Sequence, residues 1–236
     1  MQNDPDVVRR EYASEAGLVG RRAAYRYADG PDAPELAFQA VAEAKPSRVL
    51  EVGCGPGEAA ERIGREVGAD IVAIDSSERM VELARARGVE AQLGDVQSLP
   101  FPDGAFDCAL AAWMLYHVPN VDQALGELAR VLRPGGRLVA VTNHLDHLRE
   151  LRELVGLEEN LLTPFSGENG ETLLRNHFAE VEVRDAGGTI RFPDREAVAA
   201  YVQASRGLAA APRPVPPLEG PFPVRMHPVI FVAEKR

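Results

Sequence analysis

The sequence lacks the features that would place it in several large classes. Its 236 residues hold only two cysteines, Cys54 and Cys108. Both fall in segments that read as strand or strand end, and they are expected to be reduced packing residues rather than a disulfide. Their number and spacing do not make a metal site, and no metal is expected. No window is both long and apolar enough to span a bilayer, so a membrane partner is not expected. The opening MQNDPDVVRREYASEAG is polar and acidic and has no apolar core of the signal-peptide kind, which makes a cytoplasmic location the expectation. Positive charge is also short: 26 Lys and Arg against 36 Asp and Glu leave a formal charge of −10. Such a surface repels phosphate backbones and disfavours nucleic acid as a partner, although a local basic patch is compatible with that total.

What is present is ordinary for a globular protein, with 45% hydrophobic and 26% charged residues, enough for one well-buried α/β domain with additions. The first 45 residues are helical in character and read as an N-terminal cover (1–45). From Ser47 short β-branched or apolar runs alternate with helical stretches: SRVLEVG, DIVAID, VEAQL, FDCALAAW and GRLVAVTN as strands, with GEAAERIGREVG, SSERMVELARARG and VDQALGELARVL between them. Val121, Leu125, Leu128 and Leu132 form one stripe of the last helix. Strands and helices in this alternation imply parallel β-α-β units with right-handed crossovers, and ligands then bind at the carboxyl ends of the strands. The main domain is assigned to 46–236. Late in it, FAEVEVRD and the closing HPVIFVAEKR read as strands. Between them, 186–227 reads as a lid-like insertion with a helix, DREAVAAYVQASRGL, and a proline-rich surface strap, APRPVPPLEGPFP.

The loop VLEVGCGPG (49–57) carries the most chemistry. Gly53, Gly55 and Gly57 have no Cβ, so a ligand could touch backbone there, and the next helix offers free N–H groups. Alone the loop is ambiguous: residues 55–60 also satisfy the dinucleotide pattern G-x-G-x-x-G/A, and Asp75 sits where a ribose-binding acid would lie in either case. Three further features separate the readings. Glu51, on the strand entering the loop, suits a cationic ligand better than a pyrophosphate. Gly94-Asp95-Val96 follows the third strand. LRPGGRLV introduces the fifth.

With these motifs the chain resembles the S-adenosylmethionine-dependent class I methyltransferases, in particular the broad small-molecule group typified by E-V-G-C-G-x-G and L-x-P-G-G. The resemblance is close over roughly 45–145 and holds only in outline elsewhere. It implies a Rossmann-like doubly wound α/β fold of seven strands, the last antiparallel. S-adenosylmethionine is the implied cofactor. In that family Gly53, Gly55 and Gly57 approach its methionine part, with Glu51 beside them. Asp75 would accept from both ribose hydroxyls, with Ser76 next to it, and Asp95 from the adenine amino group. The Val96 N–H would meet a ring nitrogen, Met80 would pack on the adenine face, and the Ala111 carbonyl would face the ammonium. Local alternatives stay open: Asp75 as a cap of the next helix, although Ser76 and Ser77 already serve there, Glu51 as a structural anchor, Asp95 as a turn residue, Met80 as plain core.

Methyl transfer is an in-line displacement for which the protein mainly supplies position, and a base is needed only if the acceptor must lose a proton. Trp113, Tyr116 and His117 follow the fourth strand beside the expected methyl position, and His117 is the candidate base. His144 and His147, after the fifth strand, read first as helix surface or pocket lining. The N/D-P-P-Y tetrapeptide of relatives that methylate exocyclic amino groups is absent. Tyr12, Tyr25, Tyr27, Phe38, Phe192, Tyr201 and Phe222 could enclose a flat acceptor or simply bind the cover down. Arg21, Arg22 and Arg26 could meet an anion or form a solvated face. The expected function is methyl transfer to a small-molecule substrate. The alternatives are a methyltransferase acting on RNA or protein, a nicotinamide-dependent oxidoreductase, and a cofactor-binding module without catalysis. The acceptor and the oligomeric state are left open.

Overall fold

A computed structural model describes residues 17, 20, 23–157, 163–205, 208 and 211–236. Tyr12, Arg21, Arg22 and much of the expected N-terminal cover lie outside these residues. After a short 3-10 turn (Ala24–Tyr27) the chain forms β1 (Ala28–Asp29) and α1 (Ala33–Glu43), the latter capped by Asp32, whose carboxylate accepts from the Glu35 amide. Then come β2 (Arg48–Val52), α2 (Glu58–Glu66), β3 (Asp70–Asp75), α3 (Glu78–Ala86), β4 (Glu90–Leu93) and β5 (Phe106–Ala112). They are followed by α4 (Val121–Val131), β6 (Leu132–Asn143), α5 (Arg149–Leu154), α6 (Gly170–Arg175), β7 (Glu180–Asp185), β8 (Gly188–Phe192), α7 (Arg195–Ala204), β9 (Phe222–Met226) and β10 (Pro228–Glu234).

Seven strands make the main sheet in the order β4-β3-β2-β5-β6-β10-β7. The first five are parallel, and β10 runs antiparallel to both β6 and β7. The expected doubly wound sheet with an antiparallel last strand is present. The inner strands β2, β3, β5, β6 and β10 bury both faces, which explains their nearly continuous apolar runs, while the edge strands β4 and β7 are largely exposed. Leu50, Phe106, Leu125, Leu128 and Phe231 pack on one side, Val49, Leu110, Val139 and Ile230 on the other. Ala37 and Val41 of α1 join the second face, so this part of the expected cover is a sandwich helix lying on the sheet itself.

Strand order reverses between β2 and β5. Their ladder ends at Glu51↔Leu110, while β5 continues to pair with β6 through Ala112↔Val141. Ala111 and Ala112 therefore run on beside β6 alone, and the crevice expected at such a reversal opens above them. Two details differ from the sequence reading. RPGG does not merely introduce the fifth expected strand, β6, but lies within it as a bulge, between the pairs Phe106↔Leu132 and Cys108↔Arg137. A Cβ on Gly136 would sit 2.8 Å from the Arg133 carbonyl oxygen, which explains a glycine there. And 186–227 is not only helix and strap: β8 and β9 pair with β1 in a separate antiparallel sheet, order β1-β8-β9. Pro223 is tolerated in β9 because β9 is an edge strand. Cys54 and Cys108 are buried free thiols.

Phe231 is fully buried in β10, edge-on to Phe165 at 5.7 Å. Phe231→Ala should cost about 3–5 kcal/mol in urea unfolding with an unchanged m-value, the range for emptying a well-packed aromatic site.

Candidate functional site

The glycine loop leaves β2 and turns over the crevice. All three glycines have positive φ, +65° at Gly53, +53° at Gly55 and +83° at Gly57, but for two different reasons. A Cβ on Gly53 would lie 2.7 Å from the Met114 Cβ, and one on Gly57 2.8 Å from the Ala84 Cβ. Those two glycines let neighbouring elements close on the loop. A Cβ on Gly55 would meet nothing within 4 Å, so Gly55 is where the backbone faces open space. Gly57 also opens α2 with no side-chain cap, leaving the first-turn amides of that helix to other partners.

Glu51 lies beneath the loop and is 3% exposed. Burial pushes its carboxyl up to about 8, against a lowering hydrogen bond from the Ala60 amide and a small raising effect of Asp75. Its Oε2 is buried with no hydrogen-bond partner. A carboxyl oxygen held this way has an unmet demand for a donor, and a cation set beside it would favour the ionised form.

Asp75 ends β3 and is tied down on both oxygens. Oδ2 accepts from the Gly55 amide at 2.9 Å and Oδ1 from the Ser77 amide at 2.9 Å. Burial raises its pKa despite these bonds. With the Ser76 amide as a third donor, one of its roughly four lone-pair positions stays open to a ligand hydroxyl. Capping of α3 falls to Ser77, whose hydroxyl accepts from the Met80 amide at 3.4 Å; Ser76 is exposed and its amide serves Asp75. Asp95 follows β4 at the same end of the sheet, where the Gly94 amide donates to the Asp75 carbonyl at 3.0 Å and Asp75 pairs with Leu93. The two aspartates therefore stand at the tips of adjacent strands. The Asp95 carboxylate already accepts from the Gln97 side chain at 3.0 and 3.1 Å. Gln97 is in turn fixed by the Asn120 amide and by Gln123, a positioning role that the sequence did not signal. Val96 and Ala111 have buried side chains beside this loop and strand. Met80 is 0% exposed and presents no surface to the crevice; contact with a ligand would need the surrounding loop to open.

Beyond β5 the backbone makes a sharp turn. Trp113 has φ of +53°, rare for a bulky residue, and is held there by its amide on the Val141 carbonyl (2.9 Å) and its indole N–H on Asn143 Oδ1 (3.3 Å). A 3-10 turn, Leu115–His117, brings His117 half-buried with its ring edge-on to Tyr116 at 4.4 Å.

Past β6 the structure gathers more than the sequence reading placed there. His144 stacks on His227 with ring centroids 4.0 Å apart, and its Nδ1 lies 3.3 Å from Glu168 Oε1. His147 is not helix surface. It is half-buried, its Nδ1 accepts from the His227 amide at 2.9 Å, and desolvation pulls its imidazole down to about 3, so it is a neutral structural acceptor. Glu168 and His227 were missed, because they lie far along the chain and outside any motif. The aromatics of the insertion bind it together: Phe192 meets Tyr201 edge-on at 5.6 Å within a cluster that also holds Val198, Val224 and Met226. Phe38 lies under the Arg62 guanidinium, and Arg26 donates to the Tyr27 hydroxyl. Among the described residues, no group of three or more His, Cys, Asp or Glu could hold a metal ion, and no helix is long and apolar enough to cross a membrane.

The family model for a methyltransferase domain matches residues 50–140, the span from the buried strand β2 through the crevice to mid-β6. Residues 50–140 form a class I methyltransferase domain. A demethylmenaquinone methyltransferase of Thermus thermophilus is 42% identical over 106 residues, 42% of this chain and 48% of that protein. A probable chloroplastic tocopherol O-methyltransferase of Oryza sativa subsp. japonica is 41% identical over 118 residues, 45% of this chain and 33% of that protein. The chain spans about half or less of the length of the curated relatives it matches. Among solved structures, an S-adenosylmethionine-dependent methyltransferase of Thermotoga maritima, described as a possible histamine N-methyltransferase, superposes with a TM-score of 0.57 at 24% identity. It covers 91% of this chain and 92% of its own, a likeness of fold. S-adenosylmethionine is the cofactor of this methyltransferase class, and the residues present fit it. The orphaned Glu51 oxygen suits a cation, Gly55 leaves room for it, and Asp75 keeps an acceptor position for a ribose hydroxyl.

The raised Glu51 carboxyl makes a pH-dependent prediction. The unfolded chain ionises this group in the ordinary carboxyl range, the folded protein only near 8. Unliganded protein therefore loses stability as pH rises through that window, by at most about 1.4 kcal/mol per pH unit. Glu51→Gln should melt close to wild type near pH 5 and several degrees above it near pH 8 in scanning calorimetry.

Proposed function

We propose that this protein transfers the methyl group of S-adenosylmethionine to a small, apolar or aromatic acceptor. The observation that carries the proposal is the buried, unpartnered Glu51 oxygen under the open backbone of Gly55, with Asp75 and Asp95 at the tips of the next two strands. In this reading Gly53, Gly55 and Gly57 shape the loop around the methionine part. Asp75, with Ser76 beside it, receives a ribose hydroxyl. Asp95 and the Val96 amide meet the adenine edge, and Met80 reaches the adenine face once the surrounding loop opens. The Ala111 carbonyl faces the ammonium, and Glu51 compensates positive charge from below. The activation resides in the cofactor, so these residues have only to fix its position.

The acceptor lies on the other side of the methyl group, over the ends of β5 and β6. Trp113, Tyr116 and His117 line it. The names of the relatives support a small-molecule acceptor, a quinone in one and a tocopherol hydroxyl in the other. The formal charge of −10 weighs against a nucleic-acid substrate.

Calorimetry with S-adenosylhomocysteine and with NAD(H) tests the cofactor half. Binding of the first and not the second is expected, and Asp75→Asn should weaken it by about tenfold or more, the loss of hydrogen bonds to a charged acceptor. Binding of NAD(H) without the adenosyl compounds overturns the reading. Formation of S-adenosylhomocysteine from a panel of phenols, hydroquinones and amines then identifies the acceptor.

A further inference from the structure

His144 occupies a position that packing alone does not explain. It follows Asn143, the residue whose side chain receives the Trp113 indole, so it stands one residue beyond the lip of the crevice. Three independent contacts fix its ring. One face stacks on His227. Another surface lies against Gly167, where a Cβ would come within 2.4 Å of the imidazole Cγ and Nδ1. The Nδ1 edge meets Glu168 Oε1.

Glu168 is itself held. Partial burial pushes its carboxyl up, but the Leu145 amide at 2.9 Å, the Ser166 hydroxyl and His144 outweigh this and keep it below the usual carboxylate range. An ionised carboxylate only accepts hydrogen bonds, so His144 must donate through Nδ1, which leaves the lone pair on Nε2. Among the described residues Nε2 of His144 has no hydrogen-bond partner, and the side chain keeps 25% of its surface exposed. A carboxylate-oriented imidazole with its basic nitrogen free is the arrangement of a general base.

We propose that His144 is the catalytic base of this site, positioned by Glu168, and that the acceptor is accordingly a hydroxyl, of phenol or hydroquinone type. This rests on the methyl-transfer reading above and deepens it. A neutral amine can attack with its lone pair and lose its proton afterwards, whereas a hydroxyl is too weak a nucleophile to attack with its proton in place. The step balances as follows. The acceptor O–H bond breaks and its proton passes to His144 Nε2. The oxygen pair forms the new O–CH3 bond, and the S–CH3 bond of the cofactor breaks with its electron pair going to sulfur. The products are a methyl ether, S-adenosylhomocysteine and an imidazolium that returns its proton to water. The charged and titratable groups that meet the His144 ring are Glu168, from the 163–169 turn, and His227, between β9 and β10. Around them, Asp185 of β7 lies 3.9 Å from His227 Nε2, and Arg225 of β9 joins Asp146 and, through its amide, Glu150 of α5. Arg152 of α5 donates to the Leu145 and His147 carbonyls, and His147 accepts from the His227 amide. Asp146 is engaged by His227 at 2.6 Å and by Arg225 at 2.8 Å, so its charge is matched before it reaches His144.

The test uses protein labelled at histidine Cε1, with trimethylhydroquinone as the hydroxyl probe and S-adenosylhomocysteine in the cofactor site. The His144 resonance, assigned by its loss in His144→Gln, should shift when the hydroquinone is added. In turnover with S-adenosylmethionine, His144→Gln should lower kcat for methyl ether formation by about 100-fold or more, the usual weight of a general base. The acceptor KM and the affinity for S-adenosylhomocysteine should stay within about threefold, and the acid limb of the kcat–pH profile should vanish. Glu168→Gln and Gly167→Ala, which unhook or displace the ring, should lower kcat about tenfold and move that limb, with Glu168→Asp recovering part of the loss. A His144 resonance that ignores the hydroquinone, an undiminished rate in His144→Gln, loss of the acid limb in His117→Gln instead, or methylation confined to an amine probe each overturns the assignment. Failure of the wild-type protein to bind S-adenosylhomocysteine sinks the cofactor reading instead, so the two failures are distinct.

Discussion

The parting of β2 from β5 is the constraint from which the rest of the molecule follows. Up to Glu51 and Leu110 the two strands satisfy each other's backbone. Beyond that pair they separate, because the chain has wound outward through β3 and β4 on one side and returns to wind outward through β6 on the other. The crevice needs no special sequence to form. It needs residues that tolerate standing at its edge, and these are the ones with unusual demands: a glycine loop at positive φ, a tryptophan in the left-handed region, and a carboxylate sealed away from water.

These demands are met by packing laid on from outside the crevice. Met114 closes on Gly53 and Ala84 on Gly57, so the loop is clamped from two sides while Gly55 stays clear. The loop that carries Asp95 is held by Arg130, which donates to the carbonyls of Leu99 and Phe101 and pairs with Glu127 and Asp103. Glu127 accepts in turn from the Leu99 amide. A rigid rim around a strained floor is what preorganisation requires, since groups that are already fixed lose little freedom when a ligand arrives.

Much of this is legible from the residues alone, for local reasons. The alternation of buried strands with capped helices reads directly, because both faces of the sheet are covered and Asp32, Ser77 and Asn120 sit at helix starts. The glycine loop and the two aspartates read from spacing, since each lies just past a strand. What escapes is what depends on contacts distant in the chain. GTIRF and FPVRM are too short and too interrupted to read as strands until they pair with each other and with Ala28 and Asp29. RPGG reads as the lead-in to a strand because its bulge exists only relative to β5. His144 and His147 look alike in sequence, three positions apart, yet one accepts from the His227 amide and is held neutral while the other stands beside Glu168. Their partners, which no motif reveals, separate them.

The position of β10 has a consequence for how the chain assembles. It lies between β6 and β7, although β7 is synthesised well before it. Until β10 inserts, β7 has no neighbour and β6 presents a bare hydrogen-bonding edge next to the apolar residues Val139 and Val141. The intervening β8, α7 and β9 have a cluster of their own around Phe192 and Val224. A chain synthesised only as far as β9 thus lacks the strand that joins β6 to β7, and the sheet is complete only when β10 takes its place between them. An edge left bare in this way is open to pairing with another chain, and pairings so distant in sequence are intrinsically slow to form.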